Sequence, residues 1–596
     1  MERKLPSCHV MRHSTLRLVV VSLGLLWSAC IDIPGIHVEE PPIVEPDAGV
    51  PTVGARLILS RQTTNGGVDL QVELTGASPE KVELLVDGSA VETLLPPYRL
   101  HLDTQTLSEG DRELLVRTTL GSRIFLSEPR LLRVDRTPPA FVSRHPAPGD
   151  RLVPVQQVVR AEFSKELDPA TVHGNSVRLE AESKVITGEV ALSSDAKVLT
   201  IRPTALLPKD VSVRVVLDSS VTDLAGNPIQ TEGSEWSWVA PGFLPLGSSF
   251  LPGSMESSAP TNPDLLVPKS GGPIAIWGDN VSQRLYARQW SGVSWEPMGE
   301  PVSISGTFSF LESTLDVEDR PVVAWLDDTS VVIDIRRWTG SAWVPMGEAI
   351  PSSTNYLWAL SLRTDGEGQW FLSYATYQEF FVWKWDGTAW MRLALFKAAE
   401  GWKVAMPCME LDVAGNPVVI WGEMDSASKV LRYETRWWDG GAWRTVPGSV
   451  TYPGAFGWGV GAPGHPLMWV GTSTGASIRA WTGTGWSQLG ASFEERFPGD
   501  ARAVVRRFAL DSSGALVVLL GEAEGAEQYE TLHMRKLVDG EWLPLEGLLR
   551  PSPGSTPNPA SQLEITPEGR FLVARIESTG QPPHVQYFMQ VYISND

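Results

Sequence analysis

Apolar residues along this chain follow two patterns, and neither has the 3.6-residue period of a helix. Between residues 56 and 136, short runs alternate apolar with polar, as in "VDLQVEL" (68–74) and "KVELLVDG" (81–88). Alternation with period two, broken by turn residues, predicts strands with one buried face. Beyond residue 240 the apolar runs become continuous: "PIAIW", "PVVAW", "NPVVIW" and "ALVVLL". A strand buried on both faces reads that way. The expected fold class is all-β: two small β-sandwiches followed by a seven-bladed β-propeller.

The propeller expectation rests on an internal repeat. Two tryptophans flank a Gly-containing turn at Trp290–Trp295, Trp338–Trp343, Trp385–Trp390, Trp438–Trp443 and Trp481–Trp486, with Leu537 and Trp542 as a sixth copy. Successive second tryptophans stand 48, 47, 53, 43 and 56 residues apart. Each copy carries a strand ending near Leu-Asp (Leu315-Asp316, Leu411-Asp412, Leu510-Asp511), then a buried strand, then the hairpin with the tryptophans. Four strands per roughly 50 residues is the size of a propeller blade. Phe243–Gly247 matches Trp295–Gly299 without the preceding strands, while the last 34 residues supply three strands, with Tyr592 where the first Trp belongs. The two ends are therefore expected to share a seventh blade and close the ring, which removes exposed sheet edges.

Length and charge narrow the function. With 596 residues the chain exceeds one core. Basic Arg12 and Arg17 precede an apolar run, Leu18–Ala29, of about 12 residues, short of the roughly 20 that span a bilayer. Residues 1–29 read as a signal peptide, with Met1 or Met11 as the start. "Leu-Trp-Ser-Ala-Cys" (26–30) resembles a bacterial lipobox, which implies lipidation of Cys30 and anchoring to the cell envelope. Ile31, where an Asp is absent, points to the outer membrane. Residues 30–55, rich in Pro and acid, read as a tether. Without residues 1–29 the chain has 45 Lys and Arg against 69 Asp and Glu, a net charge of −24. Such a surface repels nucleic acid. Only Cys8, Cys30 and Cys408 occur, so the mature chain has no pair left for an internal disulfide.

Two stretches carry family resemblances. "KVELLVDGSAVETLLPPYRLHLDTQTLSEGDRELLVRTT" within 56–136 resembles a bacterial Ig-like domain. In 137–240, "FSKELD" (163–168), the Pro-Leu turn before a long strand, and "DLAGN" (223–227) resemble the SbsA-type Ig-like domain of S-layer proteins. That resemblance implies a sandwich of about 100 residues serving as a spacer or adhesion module. The Asp and Asn of "DLAGN" are read as turn formers, since they lack the alternating oxygens of a calcium loop. The chain as a whole resembles a bacterial surface lipoprotein with Ig-like domains and a repeat region at 241–596.

Candidate chemistry is sparse. The first tryptophans of the repeat, Trp290, Trp338, Trp385, Trp438 and Trp481, are candidate sugar platforms, although packing is the favoured reading. Arg288, Arg336, Arg436, Arg479 and Arg535 stand two before that position, on its strand face, and are candidate ligand contacts. An acid recurs on the preceding strand (Asp279, Asp327, Glu423, Glu522, Glu577), spaced to pair with the Arg across the hairpin. The histidines have no metal-ligand spacing, and no nucleophile elbow, P-loop or dinucleotide fingerprint occurs in a credible context. The expectation is a non-enzymatic protein without cofactor or metal, recognising a glycan or a surface protein. The alternatives are a polysaccharide hydrolase or lyase working from the propeller funnel, and a pure envelope scaffold. Whichever holds, a site is expected where the repeats differ.

Overall fold

The computed structural model describes residues 51–596 except 231, 251–262, 306–307, 366, 426–429, 447–465, 473–474, 495–503, 512, 524–529, 546, 548, 550–551, 553–554 and 581–585. The signal peptide, Cys30 and most of the tether lie outside the described residues. Among the described residues the chain forms two compact units, one of residues 51–60, 69–100 and 113–131, the other of 61–68, 101–112 and 132–596.

In the first unit, Val53–Leu59 runs antiparallel to Gly67–Gly76, with Leu59 opposite Leu70. Lys81–Val86 pairs on one side with Ser89–Thr93 and on the other with Gly110–Leu120. The predicted period of two is visible in burial at Leu70 and Val72 and at Leu114, Val116 and Thr118, but Lys81–Val86 departs from it, being buried continuously from Val82 to Val86 because it lies between two partner strands. Asp87 and Gly88, both at positive φ, make the two-residue turn between paired strands that the sequence pattern demands.

The second unit begins with a sandwich of two four-stranded sheets. One runs Phe141–His145, Val159–Phe163, Val198–Pro203, Gly188–Leu192; the other Lys184–Ile186, Val177–Ala181, Ser212–Leu217, Glu235–Val239. Phe163, Leu179, Ile201, Val215 and Trp238 fill the space between them. In "DLAGN", Asp223 accepts from the amides of Ala225 and Asn227 at 2.9 and 2.8 Å, and from the Asn227 side chain at 3.0 Å. Both polar residues are thus employed in building the turn.

Residues 241–596 contribute seven sheets among the described residues. The second strand is buried along its whole length at Ile274–Asp279, Pro321–Asp327, Trp370–Ala375 and Pro417–Met424, and from Leu572 to Glu577 in Phe571–Thr579. That explains the continuous apolar runs. The Asp of the Leu-Asp pair closes the first hairpin: Asp316 accepts from the amides of Glu318 and Arg320, and Asp412 from those of Ala414 and Asn416, all at 2.9 Å. First strands of successive sheets lie side by side: Asp264–Leu266, Phe308–Leu315, Ala359–Thr364 and Lys403–Leu411 in order, and Val504–Leu510 beside Thr556–Ile565, which in turn lies beside Asp264–Leu266.

The chain ends meet as the sequence predicted. Phe243–Pro245 pairs antiparallel with Gln586–Ser594, Phe243 facing Ser594 and Pro245 facing Tyr592. The next residue, Asn595, is 2 % exposed and clasps the preceding sandwich. Its amide donates to the carbonyls of Val153 (3.0 Å) and Pro241 (2.8 Å), and its oxygen accepts from Val155 N (3.0 Å). Lys209 adds an ion pair to Asp596 at 2.5 Å. Replacing Asn595 by Ala leaves buried backbone groups unsatisfied, at about 1–3 kcal/mol. Hydrogen exchange at the Val155 amide should accelerate in that variant, while amides in the Phe371–Leu372 strand keep their protection.

Candidate functional site

The repeated tryptophans are assembled into the frame. Trp338 and Trp343 face each other across the hairpin, ring centroids 5.4 Å apart. The other Trp pairs have the same register and separations of 5.5–5.6 Å. The second Trp then reaches the preceding repeat: Trp295 Nε1 donates to Leu246 O (2.8 Å), Trp343 to Met298 O (3.3 Å) and Trp390 to Met346 O (2.9 Å). Each accepting residue precedes a glycine at positive φ: Gly247, Gly299 and Gly347. A Cβ on Gly347 would stand 2.6 Å from the Trp385 ring, and one on Gly299 2.8 Å from Trp338. The recurrent Pro-x-Gly and the Trp pair are therefore two halves of one joint between successive sheets. Trp385 also borders an open cleft of about 590 Å³ with Gln369, Lys384 and Arg392.

The candidate arginines lie on the third strands of their sheets, and Arg288 also stands 5.6 Å from the ring of Phe250, which pairs with Met589 of the last sheet. Register sets Arg288 opposite Ala275, Arg336 opposite Val323, Arg436 opposite Val419, Arg479 opposite Met468 and Arg535 opposite Val518. The expected cross-hairpin pairing with the recurring acids is not the arrangement found. Asp279 stands opposite Arg284 and Asp327 opposite Val332, four positions from the partner of the candidate Arg, or about 13 Å along a strand. Equal parity set the face correctly but not the register. The acids instead cap the next turn: Asp279 accepts from the amides of Val281 and Ser282, Asp327 from those of Thr329 and Ser330. The guanidinium also stacks elsewhere than expected. Arg336 lies 5.7 Å from the Trp325 ring and Arg436 5.9 Å from Trp421, on the second strand rather than over the hairpin pair. Arg336 pairs with Asp334 at 3.2 Å and Arg436 with Glu434 at 3.4 Å; Arg288 donates to Trp295 O at 3.3 Å.

A different cluster gathers residues from many repeats. Two positions on the first strand, two residues apart and so on one face, can be compared through their partners on the second strand in the six sheets whose first strand is described. The first holds Leu266, Thr314, Arg363, Glu410, Ala509 and Glu564; the second holds Asp264, Glu312, Ser361, Cys408, Arg507 and Gln562. The second position differs in every copy, and the first recurs only as Glu at 410 and 564. Because the first strands of neighbouring sheets are adjacent, the side chains meet. Arg363 bridges its two neighbours, with Nη1 3.1 Å from Glu312 Oε2 and Nε 3.0 Å from Glu410 Oε2. Asp264 accepts from the backbone N and the hydroxyl of Ser313, both at 2.7 Å, and Arg507 donates to Gln562 Oε1 at 2.6 Å.

The cluster is enclosed yet reached by solvent: side-chain exposure is 18 % at Arg363, 32 % at Glu312 and 6 % at Glu410. Burial raises the pKa of Asp264, Glu312 and Glu410, against the pull of Ser313 and the arginines. Burial also opposes the Arg363 charge, but Glu410 and Glu312 more than offset it and its pKa rises. Glu564 takes part in none of these contacts; burial, reinforced by Asp264, pushes it up to about 8. Burial pushes the Cys408 thiol up to about 12, so it carries no thiolate at neutral pH. Since the folded-state pKa of Glu564 lies above the ordinary 4.5, folding becomes less favourable as pH rises through the interval from about 4.5 to about 8. Glu564→Gln should flatten that decline. Unfolding midpoints of wild type and variant should differ more at pH 9 than at pH 5, with the variant the more stable at pH 9.

Among the described residues no group of His, Cys, Asp and Glu is placed to hold a metal ion. None of their helices is long and apolar enough to cross a membrane.

Comparison with known proteins adds one assignment. No curated protein matches the chain. Among solved structures, polysaccharide lyase Uly1 is 10 % identical, with a TM-score of 0.35, over 55 % of this chain and 88 % of that one. The Dos1 propeller is 10 % identical, with a TM-score of 0.33, over 59 % and 96 %. A mutant of AofleA from Arthrobotrys oligospora is 12 % identical, with a TM-score of 0.33, over 50 % and 91 %. Likeness of that order assigns no activity. Residues 135–239, the sandwich of the second unit, match the family described as bacterial Ig-like domain.

Proposed function

We propose that this chain is a non-enzymatic recognition protein of the bacterial cell envelope, lipid-anchored through Cys30 and held off the outer membrane by its tether and Ig-like domains, the second of SbsA type. The seven sheets of residues 241–596 form the blades of a propeller closed by the pairing of Phe243–Pro245 with Gln586–Ser594. Its ligand is a glycan or a surface protein, held where the first strands converge. One observation carries this reading: the frame repeats, while the inner positions bearing Asp264, Glu312, Arg363, Glu410, Arg507 and Glu564 vary, Glu410 and Glu564 alone matching. A pure scaffold needs no such divergence on one converging face. The test is capture of glycans and envelope proteins by the full chain, with Glu312→Gln and Arg507→Met as the variants. Loss of capture in both supports the reading; capture unaffected by either sinks it.

A second reading, a hydrolase or lyase acting on polysaccharide, is favoured by Glu564. A carboxyl raised to about 8 beside the ionisable Asp264 is suited to act as a general acid. Turnover of a polysaccharide that vanishes in Glu564→Gln would establish it over recognition.

A further inference from the structure

The inner cluster is not the one place where a repeat departs from the others. The turn between the second and third strands carries Val281 and Ser282 in the first sheet and Thr329 and Ser330 in the second, but Tyr377 in the third. Tyr377 meets two aromatics from the approach to the first strand of the same sheet. Tyr356 stacks on it, with centroids 5.1 Å apart and rings 9° from parallel. Trp358 stands edge-on to both, at 86° and 89°. These rings are placed at one end of the sheet by backbone bonds: Trp358 N donates to Ala375 O at 2.8 Å, and Val404 N to Tyr377 O at 2.7 Å. The loop before Tyr356 is fixed as well, since Ser352 Oγ donates to Thr354 O (2.7 Å) and Tyr356 N to Thr354 Oγ1 (3.3 Å).

Both tyrosines remain open to solvent in this arrangement. Tyr356 is 46 % and Tyr377 41 % exposed, whereas most aromatics of the repeat region are buried or half-buried. Lys403 places its ammonium 5.3 Å from the Tyr377 centroid, and exposed Gln378 adjoins the rings in the chain. Stacked in this way the two rings cover one face of each other, which leaves the outward face of exposed Tyr356 as a flat, pre-ordered aromatic surface that matches the apolar face of a pyranose ring. Tyrosine offers that contact area at little conformational cost.

From this juxtaposition we infer that the outward face of Tyr356, with Tyr377 stacked behind it, forms a saccharide-binding platform for a neutral pyranose. Trp358 buttresses the rings edge-on, Lys403 lies over the Tyr377 ring, and Gln378 supplies a polar group beside them. The inference rests on the recognition reading and gives it a ligand class and a second contact point outside the inner cluster.

The experiment is calorimetric titration of the full chain with neutral oligosaccharides of three to six units, α- and β-linked gluco-, galacto- and xylo-oligosaccharides among them. Tyr356→Ala and Tyr377→Ala should each weaken binding by roughly tenfold or more, equivalent to about 1.4 kcal/mol, with an unchanged unfolding midpoint. Tyr356→Phe, which keeps the ring, should bind as wild type. Saccharide binding that survives both alanine variants but is lost in Arg507→Met overturns the platform and leaves recognition by the inner cluster standing. Binding of a proline-rich peptide at these tyrosines, with no saccharide bound, overturns the ligand class. Failure to bind any saccharide, with envelope-protein capture intact, overturns the platform alone.

Discussion

Trp390→Ala is expected to destabilise the repeat region by about 3–5 kcal/mol, the usual range for removing a buried aromatic. Trp390 is 8 % exposed, faces Trp385 across the hairpin, and donates to Met346 O of the preceding repeat. Its loss opens a cavity and leaves that carbonyl without its partner, so transfer, packing and hydrogen-bond losses act together. The joint has a second half at Gly347, φ +81°, where a Cβ would meet the Trp385 ring at 2.6 Å. Gly347→Ala should therefore destabilise the same junction from the opposite side, through positive φ and through collision. The two effects should be non-additive, because either change separates the same surfaces. Unfolding midpoints of the two single variants and the double variant, read by far-ultraviolet circular dichroism, check this. A strictly additive double variant would show that the two residues do not share one joint.

Arg363→Met should have a comparable effect for a different reason. Removing one member of a buried ionic set leaves the others uncompensated, at about 3–5 kcal/mol, and with Glu312 32 % exposed the low end of that range is expected here. Here two carboxylates, Glu312 and Glu410, lose the guanidinium that lies 3.1 and 3.0 Å from them. Both already have pKa values raised by burial, and without Arg363 both rise further. A raised folded-state pKa means stability that is present at low pH and lost as pH climbs through it. The deficit of Arg363→Met relative to wild type should therefore be largest at neutral pH and should shrink as pH falls toward the ordinary carboxyl range near 4.5. A triple change, Arg363→Met with Glu312→Gln and Glu410→Gln, should recover much of the loss at pH 7. Unfolding midpoints between pH 4.5 and 8 decide the matter; a deficit independent of pH would mean that lost packing, not stranded charge, dominates.

How much of this was legible in the chain differs from feature to feature. Period-two alternation and continuous apolar runs identify strands and their burial, because side-chain direction in a strand depends on parity alone. The Trp hairpins were legible as hairpins, since register across a four-residue loop is local. The match of Phe243–Gly247 to Trp295–Gly299 foretold which distant strand would complete the last sheet. The sequence also marked the Leu-Asp turns, and the inner cluster sits two and four residues before that Asp or its equivalent. Aligning those positions across the copies would have exposed Arg363, Glu410 and Glu564 as departures.

Other features needed the tertiary structure. Parity could set Asp279 and Arg288 on corresponding faces but could not fix register, which the hairpin turn decides; the acid caps its own turn instead. The partner of each Pro-x-Gly is a Trp pair about 45 residues away in the chain, and no local pattern announces that contact. Tyr356 and Tyr377 are 21 residues apart and belong to no motif, yet sheet geometry stacks them. The sequence by itself determined the strands, the repeat and the frame, because those follow from short-range periodicity and from copies that can be compared. The tertiary structure alone decided which charges converge, which are desolvated and which rings face water, because these depend on contacts between sheets.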